Sequence, residues 1–189
     1  LQGKWPVLFL SFADIKETTF LAAREKICLS ICDLYNRYDF LKDSGLLNER
    51  EREFFERISP RMEDQIASLA LKYLSDFLTR YYGKKVIILL DEYDTPLQES
   101  YVFEYWKELA SFLRNLFNAT FKTNPFLERA IMTGITRVSS ELIFSDLNNL
   151  KVVTTTSEEY AECFGFTQKE VEASLREYGL EENMDMIRK

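Results

Sequence analysis

Apolar positions along the chain follow two rhythms. The first is the unbroken run: Val7 to Leu10, Val86 to Leu90, and the shorter Ala130 to Met132. Such runs, without polar alternation, are what strands covered on both faces carry. The second is the three-and-four spacing of an amphipathic helix. It runs through Phe20, Ala23, Ile27, Ile31, Leu34, Tyr35 and Tyr38, and again through Ile66, Leu69, Ala70, Tyr73, Leu74, Phe77, Leu78 and Tyr81. A third stripe joins Trp106, Leu109, Phe112, Leu113, Leu116 and Phe117. The pattern predicts strands over 5–12, 86–90, 129–133 and the β-rich 152–156, separated by helices. This is the alternation of an α/β domain with a mostly parallel sheet.

Punctuation sets the boundaries. Asp14 and Thr18 or Thr19 offer N-cap oxygens to the first helix, which carries packing residues and no chemistry. Asp43-Ser44-Gly45 ends that region, and residues 48–58, NEREREFFERI, read as a short charged helix with Phe54, Phe55 and Ile58 inward. Its alternating arginines and glutamates form a solvated face. The next helix runs from about Met62 to Tyr82 and stops at Gly83, a C-cap glycine. After Pro96, residues 98–101 read as a loose turn before a long helix over about 103–122, stopped by Thr123-Asn124-Pro125. Beyond residue 157 come acidic helices with Phe164, Phe166, Val171 and Leu175 as packing residues, and Thr167 and Glu170 as a fresh cap. The division expected is 1–156 for the α/β core and 157–189 for a small helical region.

The chemistry concentrates in KKVIILLDEYDTP, residues 84–96. Periodicity alone would also allow a buried helical turn at Val86 to Leu90, but Gly83 before it and Pro96 after it favour a strand. Its carboxyl end then delivers Asp91 and Glu92 to the rim where open α/β sheets bind ligands. There Asp91 could hold a magnesium ion and Glu92 could polarise a water aimed at a phosphate. This is the Walker B pattern of nucleotide hydrolases. The same acids could instead cap the next helix in solvent. Asp94 reads as the cap of a turn with Thr95 and Pro96.

Composition narrows the choices. The chain holds 189 residues with net charge −7, 46% apolar and 14% aromatic residues. That supplies ample core for one α/β domain and disfavours bulk attraction to nucleic acid. No histidine is present, which removes Ser-His-Asp and Cys-His catalysis and imidazole-bound zinc. Carboxylate, lysine, arginine or metal-assisted chemistry remains. Of three cysteines, Cys28 and Cys32 share a helical face and Cys163 stands apart; they read as free thiols in a reducing cytoplasm. No run reaches the roughly 20 apolar residues that span a bilayer, and no basic-then-apolar segment opens the chain. It begins on Leu1, as a piece of a longer protein would.

Four segments together resemble the AAA-ATPase-like family of bacterial and archaeal proteins, a P-loop group often followed by a PD-(D/E)XK nuclease-like domain. They are FLSFADIK at 9–16, YYGKKVIILLDEYDTPL at 81–97, MTGITRV through IFSDLNNL at 132–150, and EYAECFGFTQKEV at 159–171. The resemblance covers nearly the whole chain. It implies a three-layer P-loop NTPase-like fold binding ATP with Mg2+, Asp91 as the magnesium-site acid and Glu92 as the water-activating acid. It also implies Thr133 as a polar sensor near the γ-phosphate and Arg137 as a phosphate contact within the chain or across a subunit boundary. Thr133 could equally satisfy a strand-end backbone group, and Arg137 could form a surface ion pair. Residues 157–189 would begin a lid-like helical region.

One departure is large. A P-loop needs G-x-x-x-x-G-K-[ST], whose amides and lysine cradle phosphate, and none of the six glycines stands in that pattern. In the family that loop precedes the strand that starts here near Val7. The expectation is a truncated ATPase domain missing its first strand, which would lie inside the sheet between the strand ending at Thr133 and the strand at 152–156. That loss would leave an unpaired edge, open to closure by the last strand or to self-association. This chain alone should then bind nucleotide weakly and hydrolyse it negligibly. Two other functions compete: a switch or scaffold module working by partner contact, and a metal nuclease built on Asp91, Glu92 and Asp94. The nuclease is the weaker, because two-metal sites usually draw acids from separate elements.

Overall fold

The computed structural model describes residues 3–135, 147, 150–154, 156–163 and 165–187. These fall into two compact units, Leu1–Asn149 and Leu150–Lys189. The first is an α/β unit built on three parallel strands, β1 (Val7–Ser11), β2 (Val86–Asp91) and β3 (Leu127–Met132), in the order β1-β2-β3. The crossovers hold α1 (Phe20–Arg37), α2 (Glu49–Glu56), α3 (Asp64–Tyr82), α4 (Thr95–Val102) and α5 (Trp106–Phe117).

Local chemistry explains most boundaries. The Thr19 side chain accepts from the Ala22 amide and starts α1. Asn48 and Glu51 form a reciprocal capping box on α2. Gly83 closes α3 in the left-handed conformation, φ 65°, which a side chain would resist. α5 runs on into a π-helical turn, Asn118–Lys122. Residues 98–101, expected as a loose turn, belong to α4 instead: Pro96 sits in its first turn, where a missing amide hydrogen costs nothing.

One core holds the unit. Leu8 and Leu10 of β1 and Val86, Ile88 and Leu90 of β2 are buried on one sheet face. Against that face pack α1 through Ala23, Ile27 and Ile31, and α3 through Ala70, Leu74, Phe77 and Leu78. α5 adds Leu109, Leu113 and Leu116. Polar groups inside this layer are satisfied: the buried Tyr35 hydroxyl donates to the Ala70 carbonyl at 2.7 Å, and Asn124 Nδ2 donates to Ser75 Oγ at 3.1 Å. Arg24 ties α1 to α3, donating to Asp64 at 2.6 Å and to the Met62 carbonyl, with its guanidinium over the Phe112 ring. Arg80 of α3 reaches Glu51 of α2 at 2.8 Å and pairs along its own helix with Asp76 at 3.2 Å.

The other sheet face overturns two expectations. The apolar runs pointed to strands covered on both sides, and the family resemblance implied a three-layer fold. Among the described residues helices cover only one face, so the described part of the unit has two layers. Val7 is 41% exposed, Phe9 48% and Ile131 53%, and the register places all three on the uncovered side. A further correction concerns 152–156. Residues 151–154 lie in no regular element, and the β-branched run forms no strand there. β-Propensity reports fit to a pleated, half-buried surface, and without that surface it decides nothing. Among the described residues the outer edge of β3 therefore has no strand partner.

The second unit is small. Its Thr167–Glu170 capping box opens α6 (Gln168–Glu177), a 3-10 turn follows at Glu181–Asn183, and α7 spans Met184–Ile187. No residue of α6 is buried, and Phe166 and Tyr178 are exposed. No helix among the described residues is long and apolar enough to cross a membrane.

The two sheet faces should respond differently to truncation. Leu8→Ala, at a fully buried position, should cost about 2–5 kcal/mol in urea unfolding. Val7→Thr on the bare face should stay within about 0.5 kcal/mol. A second expectation concerns pH. Burial pushes the Cys28 thiol from its ordinary 9.0 to about 11. Below pH 9 both folded and unfolded chains keep this proton, so Cys28 adds no pH dependence. Between about 9 and 11 the unfolded chain releases it and the folded chain does not, so stability falls by up to about 1.4 kcal/mol per pH unit. Cys28→Ala should flatten that slope in unfolding curves taken at pH 8 and 10.5.

Candidate functional site

Three parallel strands end side by side, and their carboxyl ends gather the polar residues. Ser11 of β1 stands in register with Asp91 of β2, and Thr133 follows the last residue of β3, which pairs with Leu90. Backbone bonds lock this rim. The Phe12 amide donates to the Asp91 carbonyl at 2.9 Å, the Thr133 amide to the Leu90 carbonyl at 2.9 Å, and the Tyr93 amide to the Thr133 carbonyl at 3.1 Å.

Asp91 sits at the centre of this rim. Its Oδ1 accepts from Thr133 Oγ1 at 2.5 Å and its Oδ2 from Ser11 Oγ at 3.3 Å. The carboxylate is thus held by one hydroxyl from each neighbouring strand, partly exposed, on the uncovered side of the sheet. Glu92 leaves in a different direction. Its backbone is in the left-handed region, φ 48°, which a non-glycine residue adopts only under constraint. Its carboxylate accepts from Thr95 Oγ1 at 3.0 Å, and its carbonyl accepts from the Thr95 amide at 3.2 Å. The acid pair therefore divides: Asp91 faces the strand ends, and the Glu92 carboxylate turns to the Thr95 hydroxyl at the start of α4.

Asp94 differs again from its expected role. It occupies the N-cap position of α4, yet its side chain makes no cap bond. It is fully buried, and its Oδ2 accepts from Gln98 Nε2 at 3.1 Å. The backbone of Gly134 lies directly against it: a Cβ there would fall 2.5 Å from Asp94 Oδ1 and 2.9 Å from Tyr93 Cε1. Burial, with the Asp94 charge next to it, pushes the Tyr93 phenol above its ordinary range.

Of the residues expected at the site, the structure brings Asp91 and Thr133 into direct contact and places Glu92 beside them with its carboxylate on Thr95. Arg137 lies outside the described residues. Ser11 was missed. A single serine closing an apolar run carries little signal, and only the register with Asp91 reveals it. Among the described residues no cluster of three or more cysteines and acids is arranged to hold a metal. The oxygen set of Asp91, Ser11 and Thr133 is of the kind that could hold a small hard cation keeping most of its waters.

The family described as predicted AAA-ATPase, AAA-ATPase-like, matches residues 1–144, a span that contains β1, β2, β3 and every residue of this rim. The chain belongs to that family. It is also 33% identical over 92 residues to an uncharacterized protein in the vnfD 5′ region of Azotobacter chroococcum mcd 1. That match covers 48% of this chain and 18% of the relative. No solved structure matches the chain significantly.

The grip on Asp91 can be measured without any ligand. Thr133→Val removes one charge-assisted hydrogen bond at a partly exposed position and should cost about 1 kcal/mol in chemical unfolding. Ser11→Ala, at the longer contact, should cost less.

Proposed function

We propose that this AAA-ATPase-like chain carries the magnesium and water-activating side of an ATP site, with the phosphate cradle supplied by sequence the chain does not contain. The observation that carries this reading is Asp91. A carboxylate at the carboxyl rim of a parallel sheet is held by hydroxyls of both neighbouring strands, next to a β3 edge with no strand partner among the described residues. That rim is the general ligand position of open α/β sheets, and the unpartnered edge is where the family's phosphate-binding strand would pair.

In this reading Asp91, with Ser11 and Thr133 oriented on it, would hold magnesium through oxygen or bound water. The cation would neutralise phosphate charge. Thr133 would sense the terminal phosphate by exchanging its bond to Asp91 for one to phosphate. Glu92 would orient water once its carboxylate leaves Thr95, and Arg137 would add a phosphate contact. Residues 157–189 would begin a lid. Because amides and a lysine of the G-x-x-x-x-G-K-[ST] loop supply much of phosphate affinity, this chain alone would bind magnesium-ATP weakly and turn it over negligibly.

A second reading is a switch or scaffold module acting through a partner. The uncovered sheet face favours it, since Val7, Phe9 and Ile131 present apolar surface that a docked element or a second copy would bury.

Calorimetric titration of magnesium-ATP separates the two. The comparison is between this chain and a protein extended upstream through any glycine-rich loop. The nucleotide reading expects binding only by the longer protein. There Asp91→Ala should weaken affinity at least about tenfold, and Glu92→Gln should preserve binding while reducing hydrolysis about 100-fold or more. Absence of binding by both proteins would leave the scaffold reading. Tight binding by the short chain would show that other groups hold phosphate.

A further inference from the structure

We infer, on the basis of the nucleotide reading, that Asp94 is a positioning residue: it joins the turn after β2 to the turn after β3 and thereby sets the backbone of Glu92. Asp94 is a fully buried carboxylate two residues beyond Glu92. It acts on the α4 turn by accepting from Gln98 Nε2 at 3.1 Å, one helical turn on. It acts on the β3 turn by filling the space over Gly134, where an added Cβ would lie 2.5 Å from Oδ1 and 2.8 Å from Cγ. A parallel backbone tie runs from the Tyr93 amide to the Thr133 carbonyl at 3.1 Å.

These contacts bracket Glu92. Its φ of 48° is a conformation that persists only where the surroundings over-determine it. On its N-terminal side the constraint is β2, hydrogen-bonded on both edges at Asp91 and Leu90. On its C-terminal side it is the Asp94 joint. The geometry explains why the glycine of the β3 turn is a glycine although its own φ is ordinary: any side chain would strike the carboxylate. It also gives a route by which a displacement of Thr133 would reach Glu92, since Thr133 and Gly134 are consecutive and both bear on the 93–94 backbone.

The test uses Asp94→Asn, which keeps size and shape, Asp94→Glu as the conservative variant, and Gly134→Ala. Each is made in whichever protein of the calorimetric comparison binds magnesium-ATP. Asp94→Asn is expected to keep the wild-type circular dichroism and a cooperative melt. Amide exchange should rise at least about tenfold in both 92–98 and 133–135, with α1 and α3 unchanged. The kcat for ATP should fall at least about tenfold with KM within about twofold, and Asp94→Glu should restore part of it. Gly134→Ala should reproduce the exchange pattern from the other side of the contact. A rise confined to 92–98, or an unchanged kcat in a protein that binds and hydrolyses magnesium-ATP, overturns the role of Asp94 alone. Failure of the wild-type protein to bind magnesium-ATP overturns the nucleotide reading and this role with it.

Discussion

Everything at the rim depends on β2 being hydrogen-bonded on both sides up to its last residue. A parallel strand flanked by two others has no backbone freedom at its end. Here the Phe12 and Thr133 amides extend the ladder past the strands themselves, onto the Asp91 and Leu90 carbonyls. That fixes the Asp91 Cα, and with it the two hydroxyls in register beside it. A carboxylate held by side chains of two other elements loses little rotamer entropy on meeting a cation, because it is already ordered. The same rigidity forces the chain to turn sharply at Glu92 into α4, and the left-handed φ of 48° is the cost of that turn.

Most of the helical half of the fold was legible because burial in α1, α3 and α5 largely follows the helical period, although Leu69 and Tyr81 of the expected α3 stripe and Phe166 beyond residue 157 are exposed. Ile27, Ile31 and Leu34 of α1, or Leu74, Phe77 and Leu78 of α3, are buried as their spacing requires. The strands were legible in position but not in environment. β2 alternates buried and half-buried residues, although every position from Val86 to Leu90 is apolar. An apolar run says that both faces avoid water in the state selected for, and among the described residues no element covers one face of this unit. α4 was hidden because TPLQESYV has no stripe, and its proline read as a stop, not as the first-turn residue it is.

At the site the sequence exposed residue types and concealed their directions. Asp91 and Thr133 were recognisable from position at strand ends, and their contact follows from the β2–β3 register. Nothing in Asp-Glu-Tyr-Asp announces that consecutive acids part company, one to the strand ends, one to Thr95, and a third into a buried joint. That division arises from one backbone torsion and one close packing against Gly134, and both belong to tertiary structure.

The sheet face left bare among the described residues and the Asp91 rim bear on each other. Parallel sheets are stable when both faces are covered, since their strands expose apolar side chains on each side. Here the exposed Val7, Phe9 and Ile131 share the face on which Asp91, Ser11 and Thr133 stand. An element covering that face would exclude water from the carboxylate and strengthen its hold on a cation, because the local dielectric falls as solvent leaves. An element packed against Phe9 and Ile131 would also change how strongly the rim attracts charge, so in the proposed reading contact on this face and cation binding at Asp91 would favour each other.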